Sequence, residues 1–133
     1  MITAKVNWTD AMCFDGIASS GHHVIVDGES KKGSSPMELV LVALCGCTAY
    51  DVVSILQKKR EPFTAVEVTA QAEKAPDPPR VYTAIKLHYR VAGKVSRKAV
   101  EDAVRLSKEK YCSVSAMLEK TADITHIIEL DSP

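Results

Sequence analysis

Alternating apolar and polar side chains open the chain and predict a β-rich first segment. Residues 2–8 alternate in character, which is the pattern of a strand with one buried face. A tight hairpin turn is predicted at Asp15-Gly16, because such pairs readily adopt positive φ values. A further strand is expected over residues 22–26, and the charged, glycine-containing stretch 29–34 is predicted to be a loop.

A long apolar helix is predicted next. Ser35 is its expected N-cap, Pro36 takes the first helical position, and Glu38 completes a capping box with the serine. We expect this helix to extend to about residue 59. Residues 39–44 are apolar at every angle around the axis, whereas a surface helix would show a polar stripe. The helix should therefore be covered on most sides, which in so short a chain points to a partner subunit.

The second half of the chain predicts two strands, a second helical region and a closing strand. Half-exposed antiparallel strands are expected over residues 64–73 and 81–91, joined by a proline-rich connection. The helical region should begin near Ser96 and bend near residues 111–112, and residues 124–130 should form the last strand. This order of elements is typical of an α+β fold.

The composition indicates one soluble globular domain spanning residues 1–133. Apolar residues make up 46% of the chain and charged residues 26%. The 17 basic and 17 acidic residues cancel, which argues against a nucleic acid partner, because phosphate binding requires a basic face. The longest uncharged run, residues 39–50, is shorter than a membrane span, and residues 1–8 lack the pattern of a signal peptide. We therefore expect a cytoplasmic protein with no membrane partner.

The four cysteines are the main candidates for chemistry. Without an export signal they are expected to be reduced thiols and not a disulfide framework. Cys47 lies in the apolar helix, and Cys112 lies far along the chain at the bend of the second helical region. Taken singly, each is most simply explained as a small buried hydrophobic residue. The histidines and cysteines show no spacing typical of a zinc site, so no metal site is predicted.

Three motifs together resemble a known family. Residues 35–39 (SPMEL) and 43–48 (ALCGCT), followed by residues 111–115 (YCSVS), resemble the OsmC/Ohr family of hydroperoxide-reducing proteins, and most closely its YhfA-like subgroup. The resemblance covers essentially the whole chain. It implies an OsmC-like fold, in which antiparallel sheets wrap around two long central helices of an intertwined homodimer, with the reactive thiols near the subunit interface.

The resemblance also implies a reaction and a role for two cysteines. Cys47 would be the peroxidatic cysteine, whose thiolate reduces a hydroperoxide and becomes a sulfenic acid. Cys112 would be the resolving cysteine, which condenses with it to form an intramolecular disulfide. An external dithiol would then restore both thiols by exchange, and no cofactor would be required. Cys13 and Cys45 match no catalytic position.

The sequence departs from the family at the pair of residues that stabilises the thiolate. Peroxidases of this family use an arginine from the first β-rich segment and a glutamate just after the helix-starting proline. Residues 11–21 contain no arginine or lysine, and Met37 follows the proline. Other candidates for a cation are Lys31, Lys32 and Arg80. Two alternatives stay open: a small-molecule binding or redox-sensing protein with little turnover, and a structural dimer with inert thiols.

Several polar and aromatic residues near the motifs allow two interpretations. Asp51 follows Cys47 by one helical turn, so its carboxylate would oppose thiolate formation if close, or would pair with a cation across the core. His22 could polarise a thiol if it turned inward, and a hydrogen-bonded structural role is the simpler interpretation. Tyr50 and Tyr111 are interpreted as packing residues.

Overall fold

Within residues 1–131, which are the residues described by this computed structural model, two three-stranded sheets accompany a long helix and shorter helical segments. The predicted α+β fold class is therefore confirmed. The chain divides into two units, Met1–Val42 and a second unit that begins at Ala43. The single domain expected over residues 1–133 stays a prediction.

The first unit contains an antiparallel sheet of β1 (Ala4–Asp10), β2 (Cys13–Ala18) and β3 (His23–Asp27). Every residue of β1 is exposed, so the predicted buried face of this strand is wrong. The apolar side chains of this strand are only partly covered by other described residues, and Val6 and Trp8 are 60% and 67% exposed. The loop predicted after β3 is confirmed.

The hairpin turn predicted at Asp15-Gly16 is wrong, because both residues lie inside β2. Gly16 pairs with Val24, and a Cβ on this glycine would lie 3.2 Å from the Val24 Cγ1 atom. The glycine therefore permits a close approach between strands. The turn between β1 and β2 includes Ala11, whose φ is 46°.

The long helix α1 (Pro36–Lys58) begins as predicted. The backbone N–H of Ser35 donates to Glu38 Oε1 at 2.8 Å, and the Glu38 N–H donates to Ser35 Oγ at 3.2 Å. These two reciprocal hydrogen bonds confirm the capping box. They satisfy donors that the first helical turn would otherwise leave without partners.

The apolar surface of α1 is covered on one side by the rest of the described chain. Its buried residues follow at four-residue spacing: Leu44, Thr48, Val52 and Leu56. Only 22% of its most apolar 18-residue window is buried. The helix is also long and apolar enough to cross a membrane. The expectation drawn from the uncharged run 39–50, that no segment reaches the length of a membrane span, is therefore wrong. Core helices of soluble proteins meet the same criterion of length and composition.

The second unit contains a sheet of β4 (Phe63–Lys74), β5 (Tyr82–Gly93) and β6 (Asp123–Asp131). The predicted antiparallel pairing of β4 with β5 is confirmed, and β6 adds to β5 in parallel. On β5 the buried side chains alternate with exposed ones as the period-two pattern predicts. Tyr89 is one of these buried side chains and belongs to the site described below.

The second helical region contains two α-helices joined by a π-helical turn. Helix α2 (Arg97–Leu106) begins after the N-cap Ser96, whose Oγ accepts the N–H of Ala99 at 3.3 Å. A π segment (Ser107–Tyr111) follows, and α3 (Ser113–Leu118) begins after Cys112. The predicted bend is confirmed, and its form is a π turn, which is found frequently at functional sites.

Candidate functional site

The structure brings the thiols of Cys47 and Cys112 together. Cys47 is half-buried on α1, whereas Cys112 is only 3% exposed. Burial raises the pKa of Cys112, hydrogen bonds from Ser115 lower it, and a hydrogen bond with the Cys47 thiol raises it again. The Cys47 thiol therefore lies close enough to Cys112 to affect its pKa, and both are free cysteines.

Backbone hydrogen bonds fix Cys112 from both directions along the chain. Its N–H donates to the Ser107 carbonyl at 2.8 Å, which closes the π turn. Its Sγ atom accepts the Ser115 N–H at 3.4 Å, and the Ser115 hydroxyl donates to the Cys112 carbonyl at 3.1 Å. The Cys112 thiol thus has little freedom to move away from Cys47.

A row of hydrogen-bonded side chains lies beside the thiols and joins β5 to both helical regions. The Thr48 hydroxyl lies 2.7 Å from the Tyr89 hydroxyl and 2.8 Å from the Ser107 hydroxyl. The Ser107 hydroxyl in turn donates to Asp51 Oδ2 at 2.8 Å. We call Tyr89, Thr48, Ser107 and Asp51 the hydroxyl chain.

The hydroxyl chain has one direction of donation. A carboxylate only accepts, and each hydroxyl has a single hydrogen to donate. Because Ser107 donates to Asp51, Thr48 must donate to Ser107 and Tyr89 to Thr48. Burial raises the pKa of Tyr89 to about 12, so its phenol keeps the proton that this order requires.

The hydroxyl chain shows which group Asp51 pairs with, a point on which the sequence left two interpretations open. The structure places a hydroxyl group, that of Ser107, against the Asp51 carboxylate. The pairing with a cation across the core, which was one of the two expectations, is replaced by this charge-assisted hydrogen bond.

A cleft of about 390 Å³ opens beside the hydroxyl chain, between α1 and the junction of α2 with the π segment. Tyr50 and Asp51 line it one turn beyond Cys47, and Tyr111 lines it directly before Cys112. Tyr50 is 74% exposed and Tyr111 is 49% exposed, so the interpretation of both as packing residues is wrong within this chain. The cleft has room for an organic group, and its lining includes Tyr111, the chain neighbour of Cys112.

The other two cysteines have surroundings that differ from those of this pair. Cys45 is half-buried on α1, and burial raises its pKa. Its charge also contributes to the raised pKa of Tyr89. Cys13 belongs to the first unit, where burial and then a hydrogen bond with Asp27 raise its pKa.

The candidate cations and His22 have partners other than the thiols of Cys47 and Cys112. Lys31 Nζ lies 3.1 Å from Glu29 and Lys32 Nζ lies 3.7 Å from Asp10. Arg80 Nε donates to the Ala75 carbonyl at 3.2 Å. His22 is exposed and shares a hydrogen bond of 3.0 Å with Ser20, which agrees with the structural interpretation. Among residues 1–131, no three His, Cys, Asp or Glu side chains cluster in a way that could hold a metal ion.

Sequence reasoning missed the hydroxyl chain, although a signal for it exists. Ser107 continues the buried helical spacing of α2, and Thr48 is the polar member of the buried row on α1. A hydroxyl at such a position needs a partner, because an unpaired buried polar group is costly. The identity of that partner depends on tertiary contacts and could not be read from the spacing.

Comparison with known proteins identifies the family. The family described as OsmC-like protein matches residues 28–127, and the chain belongs to this family. The chain is similar to Protein YhfA of Escherichia coli (strain K12), with 48% identity over 129 residues, or 96% of each chain. The resemblance stated from the three motifs is therefore confirmed.

Solved structures support the fold. A hypothetical protein from Aquifex aeolicus VF5 has a TM-score of 0.92 at 32% identity, covering 100% of this chain and 98% of its own. The organic hydroperoxide resistance protein OsmC from Legionella pneumophila has a TM-score of 0.71 at 14% identity, covering 97% and 96%. At this low identity, the second likeness shows the fold alone.

Proposed function

We propose that this protein reduces hydroperoxides, organic ones above all, with Cys47 as the peroxidatic cysteine and Cys112 as the resolving cysteine. The observation that carries the proposal is the proximity of these two thiols, which come from distant parts of the chain. Membership of a family that includes organic hydroperoxide resistance proteins supports it. So does the cleft lined by Asp51 and Tyr111, which has room for an organic group.

The difference in exposure supports the assignment of the two roles. Cys47 is the more accessible thiol and Cys112 the more buried one, so the peroxide meets Cys47 first. The Cys47 thiolate forms an S–O bond while the O–O bond breaks, and the released alkoxide takes a proton to become an alcohol. Cys112 then attacks the sulfenic sulfur, and water leaves as the disulfide forms. An external dithiol reduces this disulfide by exchange, so no metal, flavin or haem enters these steps.

A homodimer is part of the proposal. Ala43, Gly46 and Tyr50 form an exposed apolar stripe along α1, and a second copy of the chain would cover it. The family resemblance implies the same assembly.

The second candidate function is that of a redox sensor with the same thiol pair and little turnover. The partners of the candidate cations favour it, because Lys31, Lys32 and Arg80 all bond to groups other than a thiol. A sensor needs to be oxidised once, whereas an enzyme must be oxidised repeatedly.

The test is consumption of cumene hydroperoxide with dithiothreitol as the reductant. We expect many turnovers for the wild type and background consumption for Cys47→Ser. Cys45→Ser is the matched control, since it removes a thiol two positions away on the same helix and should keep the wild-type rate. Equal turnover by wild type and Cys47→Ser would remove Cys47 from the mechanism. Consumption that stops after one equivalent would favour the sensor.

A further inference from the structure

Ser107 connects the segments that hold the two thiols. Its hydroxyl bonds to Thr48 and Asp51 on α1, at 2.8 Å in both cases. Its carbonyl accepts the backbone N–H of Cys112, also at 2.8 Å. One residue therefore fixes the position of Cys112 relative to the helix that carries Cys47.

The two α1 partners of Ser107 flank Cys47. Thr48 is the next residue in the helix, and Asp51 lies one turn beyond, on the same face as Cys47. Ser107 is fully buried and Thr48 is 1% exposed, so water cannot readily replace the hydrogen bond between them. Breaking this bond would leave a buried polar group without its partner, at a cost in free energy. This cost holds the two segments in place.

A disulfide requires this kind of restraint. Its geometry allows only a narrow range of Cα separations and side-chain directions. Two thiols that are already held near that geometry react far more readily than thiols whose segments move independently. The hydrogen bonds of Ser107 restrain the two cysteine segments at the point where they meet.

We propose that Ser107, with Thr48 and Asp51, is a positioning residue that sets the disulfide equilibrium between Cys47 and Cys112. This inference rests on the proposed function, because it concerns the disulfide of that reaction. Ser107 acts through the segments that carry the sulfur atoms, and its hydroxyl hydrogen bonds go to Thr48 and Asp51. A purely structural role would instead change the stability of the fold without a specific effect on disulfide formation.

The experiment measures the equilibrium of the purified protein with glutathione. Two protein thiols and one glutathione disulfide give the protein disulfide and two molecules of glutathione. Mass spectrometry identifies the Cys47 to Cys112 link and its fraction at each glutathione ratio. We expect Thr48→Val and Ser107→Ala to lower the equilibrium constant by about tenfold, because the reduced protein then lacks the restraint that keeps the two thiols close together.

Conservative and packing variants separate positioning from stability. Thr48→Ser keeps the hydroxyl and should stay close to the wild-type equilibrium, whereas Thr48→Val has a similar shape without it. Val100→Ala removes buried packing from α2 one turn earlier, at a residue that makes no hydrogen bond in the hydroxyl chain through its side chain. We expect it to lower the free energy of unfolding while the disulfide equilibrium stays near the wild-type value. If Ser107→Ala does not fold, the comparison of Thr48→Ser with Thr48→Val still decides.

The outcomes distinguish the two proposals. If wild-type protein forms no Cys47 to Cys112 disulfide, the proposed function fails and this inference fails with it. If the wild type forms the disulfide and Thr48→Val forms it equally well, the inference alone is overturned. A shift in Val100→Ala as large as that in Thr48→Val would also overturn it, because stability would then explain both effects.

Discussion

Asp27, a single residue at the end of β3, organises the loop that leads into α1. It is 3% exposed, and its carboxylate accepts the backbone N–H groups of Lys32, Glu29 and Lys31 at 2.9, 2.8 and 3.1 Å. These hydrogen bonds lower its pKa from 3.8 to about 2. The anion is therefore stabilised in the folded state, and its contribution to folding is complete above the unfolded pKa.

We expect Asp27→Asn to be less stable than the wild type at neutral pH. The wild type should lose the contribution of Asp27 as the pH falls from about 4 toward 2, because the carboxylate becomes protonated there. The variant cannot lose it, so the difference in the free energy of unfolding should shrink over that range. Urea unfolding at pH 7, 4 and 2.5 measures this difference. Asp77→Asn, in the exposed proline-rich loop, is the control, and a constant difference for Asp27→Asn would contradict the prediction.

The sequence could predict the role of a residue when that role depends on neighbours within a few positions along the chain. The capping residues Ser35 and Glu38 act within one helical turn, so their spacing is sufficient evidence. The pairing of Cys47 with Cys112 was available only through family resemblance, because it depends on how the π segment turns. The two hydrogen-bond partners of Ser107 could not be predicted from the sequence, since each bond spans more than fifty positions along the chain.

At the scale of elements, strand pairing overrides local turn preference. An Asp-Gly pair favours a tight turn, yet Asp15 and Gly16 lie in β2, which pairs with a neighbour on both sides. The hydrogen bonds of two ladders outweigh the preference of one dipeptide. Sequence therefore predicted the presence and type of nearly every element, but not the position of this turn.

Gly93 is the last residue of β5, and its backbone has a conformation that other residues rarely adopt. Its φ is 115°, and a Cβ there would lie 2.6 Å from the Pro62 carbonyl oxygen and 2.9 Å from the Phe63 Cα. We expect Gly93→Ala to lower the free energy of unfolding by more than about 1 kcal/mol, because both the backbone angle and the space are unsuitable. Gly28→Ala is the matched control, since its Cβ would lie 3.8 Å from its nearest neighbour. Equal unfolding curves for the two variants in urea would contradict this expectation.

At the scale of the whole molecule, α1 leaves an apolar surface that this chain does not cover. A groove of about 350 Å³ runs along it and is lined by Gly46, Ala49, Tyr50 and Val53. The sequence predicted that such a helix needs cover on most sides, because hydrophobicity around the axis can be read directly. It could not show which side the chain itself covers, since that depends on where the second sheet and α2 pack.

Gly46 offers the sharpest test of a second copy at this surface. A glycine in the middle of a helix costs about 1 kcal/mol relative to alanine. Among residues 1–131, a Cβ at this position would meet nothing within 4 Å. Glycine is explained if the α1 helices of two subunits approach closely here. We therefore expect a wild-type dimer in sedimentation equilibrium and a shift of Gly46→Leu toward monomer, because the added side chain separates the helices. Thr69→Leu, on the exposed face of β4, should leave the dimer unchanged. A monomeric wild type that Gly46→Leu merely stabilises would show that this surface has no second copy to bind.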